Sequence, residues 1–359
     1  MIICIRPIEL WGNNPPLTPP KEGNPIDSLS LHFMISKEEI FSIQNQDEFN
    51  RIALKVFRFQ AAENLVYQNF IKFLGLNPAE IHTIEKIPFL PIRFFKEFEI
   101  VSGNQKPEKV FTSSGTTGSQ TSRHLVTDLS FYRESLLHSF RHFYGDFEDY
   151  TVFALLPSYL EREGSSLIDM VEFWMEKSGR GGFYLYNHEE LFKDLIRNEE
   201  EGKKAILIGV SFALLDFVEN YQLELKNTIV METGGMKGRK EEITREELHK
   251  ILKKGLGVDE IHSEYGMTEL LSQSYSKGNS RFETPNWMKV LIRDTEDPLS
   301  FLAKEKTGGI NVIDLANLNS CSFIATDDLG KIHPDNSFEI LGRFDHSDVR
   351  GCNLMVSDV

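Results

Sequence analysis

The stretch Ala205-Ile206-Leu207-Ile208-Gly209-Val210, followed by the apolar helical segment 211–220 and then by Thr228-Ile229-Val230-Met231, reads as strand, helix, strand. An apolar run without polar alternation suits a strand covered on both faces, as in a parallel sheet. The pattern extends outward to strands at Thr151–Leu156 and Phe183–Tyr186 on one side and at Val258–His262 on the other. Helical segments near 165–177, 188–200 and 244–254 separate them. The last opens with the capping box Thr244-Arg245-Glu246-Glu247 and stops at Gly255 or Gly257. Alternation of this kind predicts an α/β fold, mostly parallel sheet with flanking helices. Ahead of it, Phe49, Ile52, Ala53, Val56 and Phe57 recur at helical spacing, and 65–74 continues in the same manner.

Composition narrows the function. A hydrophobic share of 40% and a charged share of 26% are those of a globular protein, and the net charge of −15 argues against broad nucleic-acid binding. Three cysteines make no disulfide framework and have no zinc spacing, which points to a reduced, cytoplasmic setting. No apolar run approaches the ~18 residues of a membrane span. Residues 1–27 differ from the rest: five prolines within 11–27 predict a disordered or extended leader, and Met34 offers a later start.

Chemistry concentrates in a few turns. Residues 111–124 run Phe-Thr-Ser-Ser-Gly-Thr-Thr-Gly-Ser-Gln-Thr-Ser-Arg-His. Hydroxyls at Thr112, Ser113, Ser114, Thr116 and Thr117 surround Gly115 and Gly118, glycines that let backbone N–H groups close on an anion. Strand-like 109–111 leads in and a helix follows downstream. The loop reads as a phosphate-gripping turn or as a Ser/Thr/Gly linker; it lacks the Gly-Lys-Ser/Thr of a Walker A loop. Ser263-Glu264-Tyr265-Gly266-Met267-Thr268-Glu269 joins a ring that can stack on a base, a hydroxyl for a phosphate and a carboxylate for Mg²⁺; it also suits an ordinary loop with a capping glutamate. Thr326-Asp327-Asp328-Leu329-Gly330 offers a ribose-binding Asp or a β-turn, and Gly342-Arg343-Phe344-Asp345 an Arg for ribose or phosphate or a solvated pair.

The order of these motifs, with Gly234-Gly235 between the first and second, resembles the adenylate-forming superfamily over roughly residues 85–359. Its members activate a carboxylate with ATP to give acyl-AMP and pyrophosphate. Within it, the chain is similar to the acyl-protein synthetases of bacterial luminescence, the LuxE family. The supporting phrases are 156–162, 164–167, Gly234-Gly235-Met236-Lys237-Gly238, 264–270 and Asp348-Val349-Arg350-Gly351-Cys352-Asn353. The resemblance implies the large N-terminal-domain type of fold, with a smaller distorted β-barrel region. It places the adenylating domain at 28–345 and a tail carrying Cys352 at 346–359.

The resemblance also implies roles. Ser113–Gly118, beside Thr112, would hold the β- and γ-phosphates. Gly234 and Gly235 would let adenine lie against backbone, with Tyr265 stacked on it at the Gly266 turn. Thr268 would meet the α-phosphate, Glu269 the Mg²⁺, and Asp328 with Arg343 the ribose. Tyr159, Ser165 and Ser166 would contact the acyl substrate. Relatives end the phosphate loop in Pro-Lys; here Arg123 or Lys237 would supply the charge. Relatives also continue past Gly-Arg-x-Asp into a lid domain with a catalytic lysine, and the resemblance implies that this lid is absent. Cys352 would accept the acyl group as a thioester and pass it to a reductase-like or carrier-protein partner, or it is an inert thiol. The expected function is an acyl-protein synthetase acting on a fatty or related carboxylic acid. The alternatives are a ligase to coenzyme A or a carrier protein, and an acyl- or nucleotide-binding subunit of a complex. Cys321 reads as core, and His262 and His346 as structural.

Overall fold

A computed structural model describes residues 35–113, 121–157, 163–234 and 243–344. It opens with helices α1 (Lys37–Phe41), α2 (Gln46–Glu63) and α3 (Leu65–Phe73), capped by the side chains of Ser36, Asn45 and Asn64, each accepting a first-turn amide. The buried face of α2 carries Phe49, Ile52, Ala53, Val56 and Phe57, and ends on buried Gln60. Strand β1 (Leu90–Pro91) and helix α4 (Phe94–Glu97) follow.

Strands β2 (Lys109–Thr112) and β3 (Arg123–Val126) then pair antiparallel in a sheet of their own, with Thr112 opposite Arg123. A strand leads in and a helix follows downstream as expected, but a second strand, paired with the first, comes before that helix. The reason lies in the return limb, where His124, Leu125 and Val126 are all buried. Helix α5 (Leu129–Tyr144) starts only at its N-cap, Asp128.

The main sheet is built from β4 (Thr151–Leu155), α6 (Ser166–Ser178), β5 (Gly181–Tyr184), α7 (His188–Glu200), β6 (Ala205–Val210), α8 (Ser211–Asn220), β7 (Thr228–Thr233), α9 (Arg245–Leu256) and β8 (Ile261–Tyr265). The five strands run parallel in the order β5-β4-β6-β7-β8. All six residues of β6 are buried, as its unbroken apolar run requires. Beyond β8 the same sheet turns antiparallel. β9 (Ser274–Ser276), β10 (Phe282–Glu283), β11 (Met288–Arg293), β12 (Gly308–Asp314), β13 (Phe323–Ile332) and β14 (Phe338–Arg343) follow in the order β9-β10-β14-β13-β12-β11. Along β11 buried and half-buried residues alternate, the pattern of a strand covered mainly on one face. β1 adds to β13 in parallel.

Three local expectations shift. β5 begins two residues before the expected Phe183, at Gly181, where a Cβ would sit 2.0 Å from the Val152 carbonyl oxygen. β8 starts later than expected and ends on Tyr265 itself, because Gly257 (φ +63) closes α9 and a connection intervenes. Asp327-Asp328-Leu329-Gly330 is not a β-turn but the middle of β13. Gly330 marks a bulge there, since its Cβ would lie 2.3 Å from the Glu339 carbonyl oxygen.

The hairpin is tied to α6 by charge. Asp169, 2% exposed, pairs with Lys109 of β2 and with Arg133 of α5 (Nη2–Oδ1 3.2 Å). Asp169→Ala leaves two cations without their counter-ion; both are part-exposed and keep some hydration. We expect a loss of about 2 kcal/mol, read as a lower urea midpoint at unchanged slope.

Candidate active site

The carboxyl ends of β6, β7 and β8 open into one cleft of about 2250 Å³. That is where ligands of parallel sheets bind. The hairpin closes one side and the β13–β14 pair another. Thr112, Ser113, Ser165, Ser166, Gly234, Tyr265, Gly266, Thr268, Glu269, Asp328 and Arg343, all singled out in the sequence, line it together. Arg123 does not; it is exposed and faces Glu99 (3.7 Å), because strand alternation turns Ser122 and His124 inward instead. Ser114, Gly115, Thr116, Thr117, Gly118, Tyr159, Gly235, Lys237 and Cys352 lie outside the described residues, as does the 1–27 leader.

The two ends of the hydroxyl-rich loop are pinned to each other. Ser113 N donates to the Ser122 carbonyl (3.1 Å), and Ser122 N donates to Ser113 Oγ (2.9 Å). Thr112 N reaches the Gly164 carbonyl at 2.8 Å. Only glycine fits at 164: its φ is +79, and a Cβ would lie 2.9 Å from Thr112 Oγ1. At the next residue, the Ser165 hydroxyl caps α6 by accepting from Ile168 N (3.3 Å). The base of the loop and the start of α6 thus share one anchor.

Two carboxylates stand side by side at the ends of β7 and β8. Glu232 is buried, and although burial opposes its charge, bonding to His249 and the Arg245 guanidinium (Nε–Oε1 3.1 Å) hold its pKa below the usual range. Among the described residues Glu264 has no such cation. Burial pushes its carboxyl up to about 7, against the Thr233 hydroxyl that donates to Oε2 at 2.5 Å, and the charge of Glu232 adds to the rise. Gly234 follows with φ +69.

On the far wall, the Tyr265 hydroxyl donates to Asp328 Oδ2 (2.7 Å) and Arg343 Nε donates to Asp328 Oδ1 (3.0 Å). Asp328 itself is 4% exposed. The ring of Tyr265 packs on Phe282 and Phe338 (centroids 6.0 and 5.9 Å), so its plane and hydroxyl are both fixed. The order of the motifs in the chain becomes proximity in space through the pairing of β13 with β14, which sets Asp328 opposite Arg343.

The family model for acyl-protein synthetase, LuxE, matches residues 178–359. The chain belongs to the LuxE acyl-protein synthetase family. No curated protein matches it. Among solved structures, this LuxE-family chain is similar to ATP-bound MatB from Rhodopseudomonas palustris, at 15% identity and TM-score 0.51, over 65% of this chain and 47% of that one. It is also similar to 2-hydroxyisobutyryl-CoA ligase in complex with 2-HIB-AMP and CoA, at 10% identity and TM-score 0.63, over 84% and 70%. At these identities the likeness shows the fold alone, that of the large domain of adenylate-forming enzymes. The chain spans about half the length of the MatB structures.

The LuxE-family turn after β8 is held by groups that the sequence reading did not single out. His124 Nδ1 lies 2.9 Å from the Thr268 carbonyl, and burial drives its pKa down to about 4, so the ring is neutral and donates. Asn317 Nδ2 donates to the Glu269 carbonyl at 2.8 Å. Burial raises the Glu269 carboxyl, against a hydrogen bond from Ser122. Among the described residues no three His, Cys, Asp or Glu side chains converge as a metal cage. Lys96, Tyr132, Glu264 and Gln273 also line the cleft. Glu264 was visible within its motif; Gln273 carried no signal at all.

Glu264 makes a pH prediction. Its folded pKa of about 7 exceeds the unfolded 4.5, so the native state holds the proton more tightly. Stability therefore falls as pH rises from 4.5 through 7. Glu264→Gln should remove that fall and gain about 1–2 kcal/mol at pH 8, checked by urea melts across the range.

Proposed function

We propose that this chain activates a carboxylic acid, fatty or related, with ATP to form an acyl-adenylate and pyrophosphate, then passes the acyl group to a thiol. The observation that carries this reading is the convergence of four sequence-distant segments on one cleft: the hairpin ends, Gly234, the Tyr265–Glu269 turn and the Asp328–Arg343 pair. In a LuxE-family chain that constellation fits a nucleotide and an acid together.

Each group has a task its geometry suits. Asp328 spends one lone pair per oxygen on Tyr265 and Arg343, and its remaining lone pairs can accept the ribose hydroxyls. Tyr265 offers a fixed ring face to adenine, and the left-handed backbone at Gly234 allows close approach on the other side. Ser113, with the residues that follow it, would grip the β- and γ-phosphates. In the first step a carboxylate oxygen attacks the α-phosphorus, the bond to the bridging oxygen breaks, and pyrophosphate leaves with the electron pair. The Thr268 hydroxyl meets the charge that grows on the α-phosphate. Glu269 would hold Mg²⁺ as a carboxylate; burial raises its pKa, and a cation beside it would favour the charged form while offsetting phosphate charge.

In the second step a thiolate sulfur bonds the acyl carbon, the anhydride C–O bond breaks, and AMP departs. Cys352 is our acceptor, in a 346–359 tail following an adenylating unit at 28–345, with a reductase-like or carrier protein as the onward partner. The MatB and CoA-ligase structures share the fold, which keeps coenzyme A as the competing acceptor. Among the described residues no helix is long and apolar enough to cross a membrane. We place the enzyme in the cytoplasm.

Acid-dependent ATP–pyrophosphate exchange tests the first step; its absence across a panel of carboxylic acids contradicts it. Asp328→Ala should raise KM for ATP about 10–100-fold with a smaller change in kcat. Intact-protein mass after incubation with ATP and acid tests the second step. An acyl adduct that survives Cys352→Ser removes that cysteine from the route.

A further inference from the structure

Lys96 lines the cleft, is exposed, and among the described residues has no salt-bridge partner. The other lysines and arginines of the lining are committed or stand elsewhere. Arg245 is bonded to Glu232, Arg343 to Asp328 and Lys253 to Glu260 (2.7 Å). Lys250 and Lys254 belong to α9, which packs on α8 and β8, whereas α4 packs on β3 of the hairpin. The chain around Lys96 fixes its place. Ile92, also in the lining, donates its N–H to the Ala325 carbonyl (2.9 Å), where β1 joins β13. Phe94 and Phe95 are buried, and the Phe95 ring meets edge-on that of His124 (centroids 5.7 Å), the residue that donates to the Thr268 carbonyl. With those two rings in the core, the next side chain, Lys96, is left to the cleft.

A triphosphate brings several negative charges into a lining that holds Glu269 and Asp328, in a chain of net charge −15. A local cation has to offset them. Arg123 does not, since it is held outside the cleft against Glu99, two residues beyond α4. The charge of Lys96 does reach this end of the cleft: burial raises the Glu269 carboxyl, a hydrogen bond from Ser122 opposes the rise, and the charges of Arg343 and Lys96 oppose it too. An ammonium on a flexible stem, with three donors, suits phosphate oxygens as a point charge. We infer that Lys96 binds the phosphates of ATP on the hairpin side of the cleft and stabilises the charge that passes to pyrophosphate. This rests on the adenylation reading above and adds a residue to it. As the bond between the α-phosphorus and the bridging oxygen breaks, the electron pair stays on that oxygen, and Lys96 keeps its proton throughout.

The test uses the full chain with Lys96→Met and Lys96→Arg. Calorimetry with inorganic pyrophosphate, ATP and adenosine, each with Mg²⁺, runs beside acid-dependent ATP–pyrophosphate exchange over a panel of carboxylic acids. We expect Lys96→Met to lower kcat/KM for ATP about 100-fold and to weaken pyrophosphate binding about 10-fold or more. Adenosine affinity and the urea midpoint should stay unchanged, and Lys96→Arg, which keeps the charge, should restore most of the loss. Pyrophosphate affinity and exchange held at the level of the unaltered chain in Lys96→Met overturn the inference and leave adenylation standing. So does a change confined to KM for the acid, which assigns Lys96 to the substrate carboxylate. An equal loss of adenosine binding marks a structural role and overturns it as well. Pyrophosphate binding that depends on Lys96 in a chain that exchanges with no acid supports the phosphate contact and contradicts adenylation. No binding of ATP or pyrophosphate to the unaltered chain overturns both.

Discussion

Buried Asp314 accepts hydrogen bonds from Leu271 N and Ser272 N (both 2.9 Å), from Ser272 Oγ (2.6 Å) and from Ala316 N (3.1 Å), and the turn after β8 depends on that one carboxylate. The chain after β8 leaves the parallel sheet and must cross to the antiparallel half with its backbone out of water. Its polar groups need partners at fixed places. Asp314 supplies them at the far end, Asn317 at the Glu269 carbonyl and His124 at the Thr268 carbonyl. Asn317 is in turn located by α2. Gln60 Nε2 donates to the Asn317 and Leu318 carbonyls (2.9 Å each), and Asn64 Nδ2 donates to the Ser320 carbonyl at 3.0 Å. A leading helix that touches no ligand thus sets the position of Thr268 and Glu269.

The same logic separates the two acidic residues at the sheet ends. Glu232 is satisfied by Arg245, His249 and Ser211, and Arg245 also stacks on Phe282 (5.1 Å), so that carboxylate serves to join α9 to the sheet. Glu264, one strand over, receives only the Thr233 hydroxyl among the described residues. Adjacent carboxylates with unequal partners titrate apart. Both line the cleft, and among the described residues Glu264 is the one with fewer partners.

Much of this was legible in the sequence where period and chemistry agreed. β6 and α8 fall at the expected residues, as does α7, because apolar runs and helical spacing there meet no competing signal. The Thr244 cap and the Gly257 stop hold as well. Eleven of the expected site residues share the cleft, since turns rich in glycine and hydroxyls declare themselves locally. What the sequence hid was tertiary. Gly330 reads as part of a β-turn but marks a close strand contact. Arg123 looked available to phosphate, yet strand alternation points it outward. Gln60 and Asn317 are ordinary amides in one dimension; only the fold shows that they donate to the Leu318 and Glu269 carbonyls.

The central claim is that one cleft holds an acyl group and a nucleotide side by side, with Asp328 as the nucleotide's anchor. Calorimetric titration with a non-hydrolysable acyl-adenylate mimic, an acyl-sulfamoyl adenosine, tests it most directly. The account predicts binding at least about 100-fold tighter than AMP or the free acid alone, lost in Asp328→Ala. Affinity no better than that of AMP would contradict it.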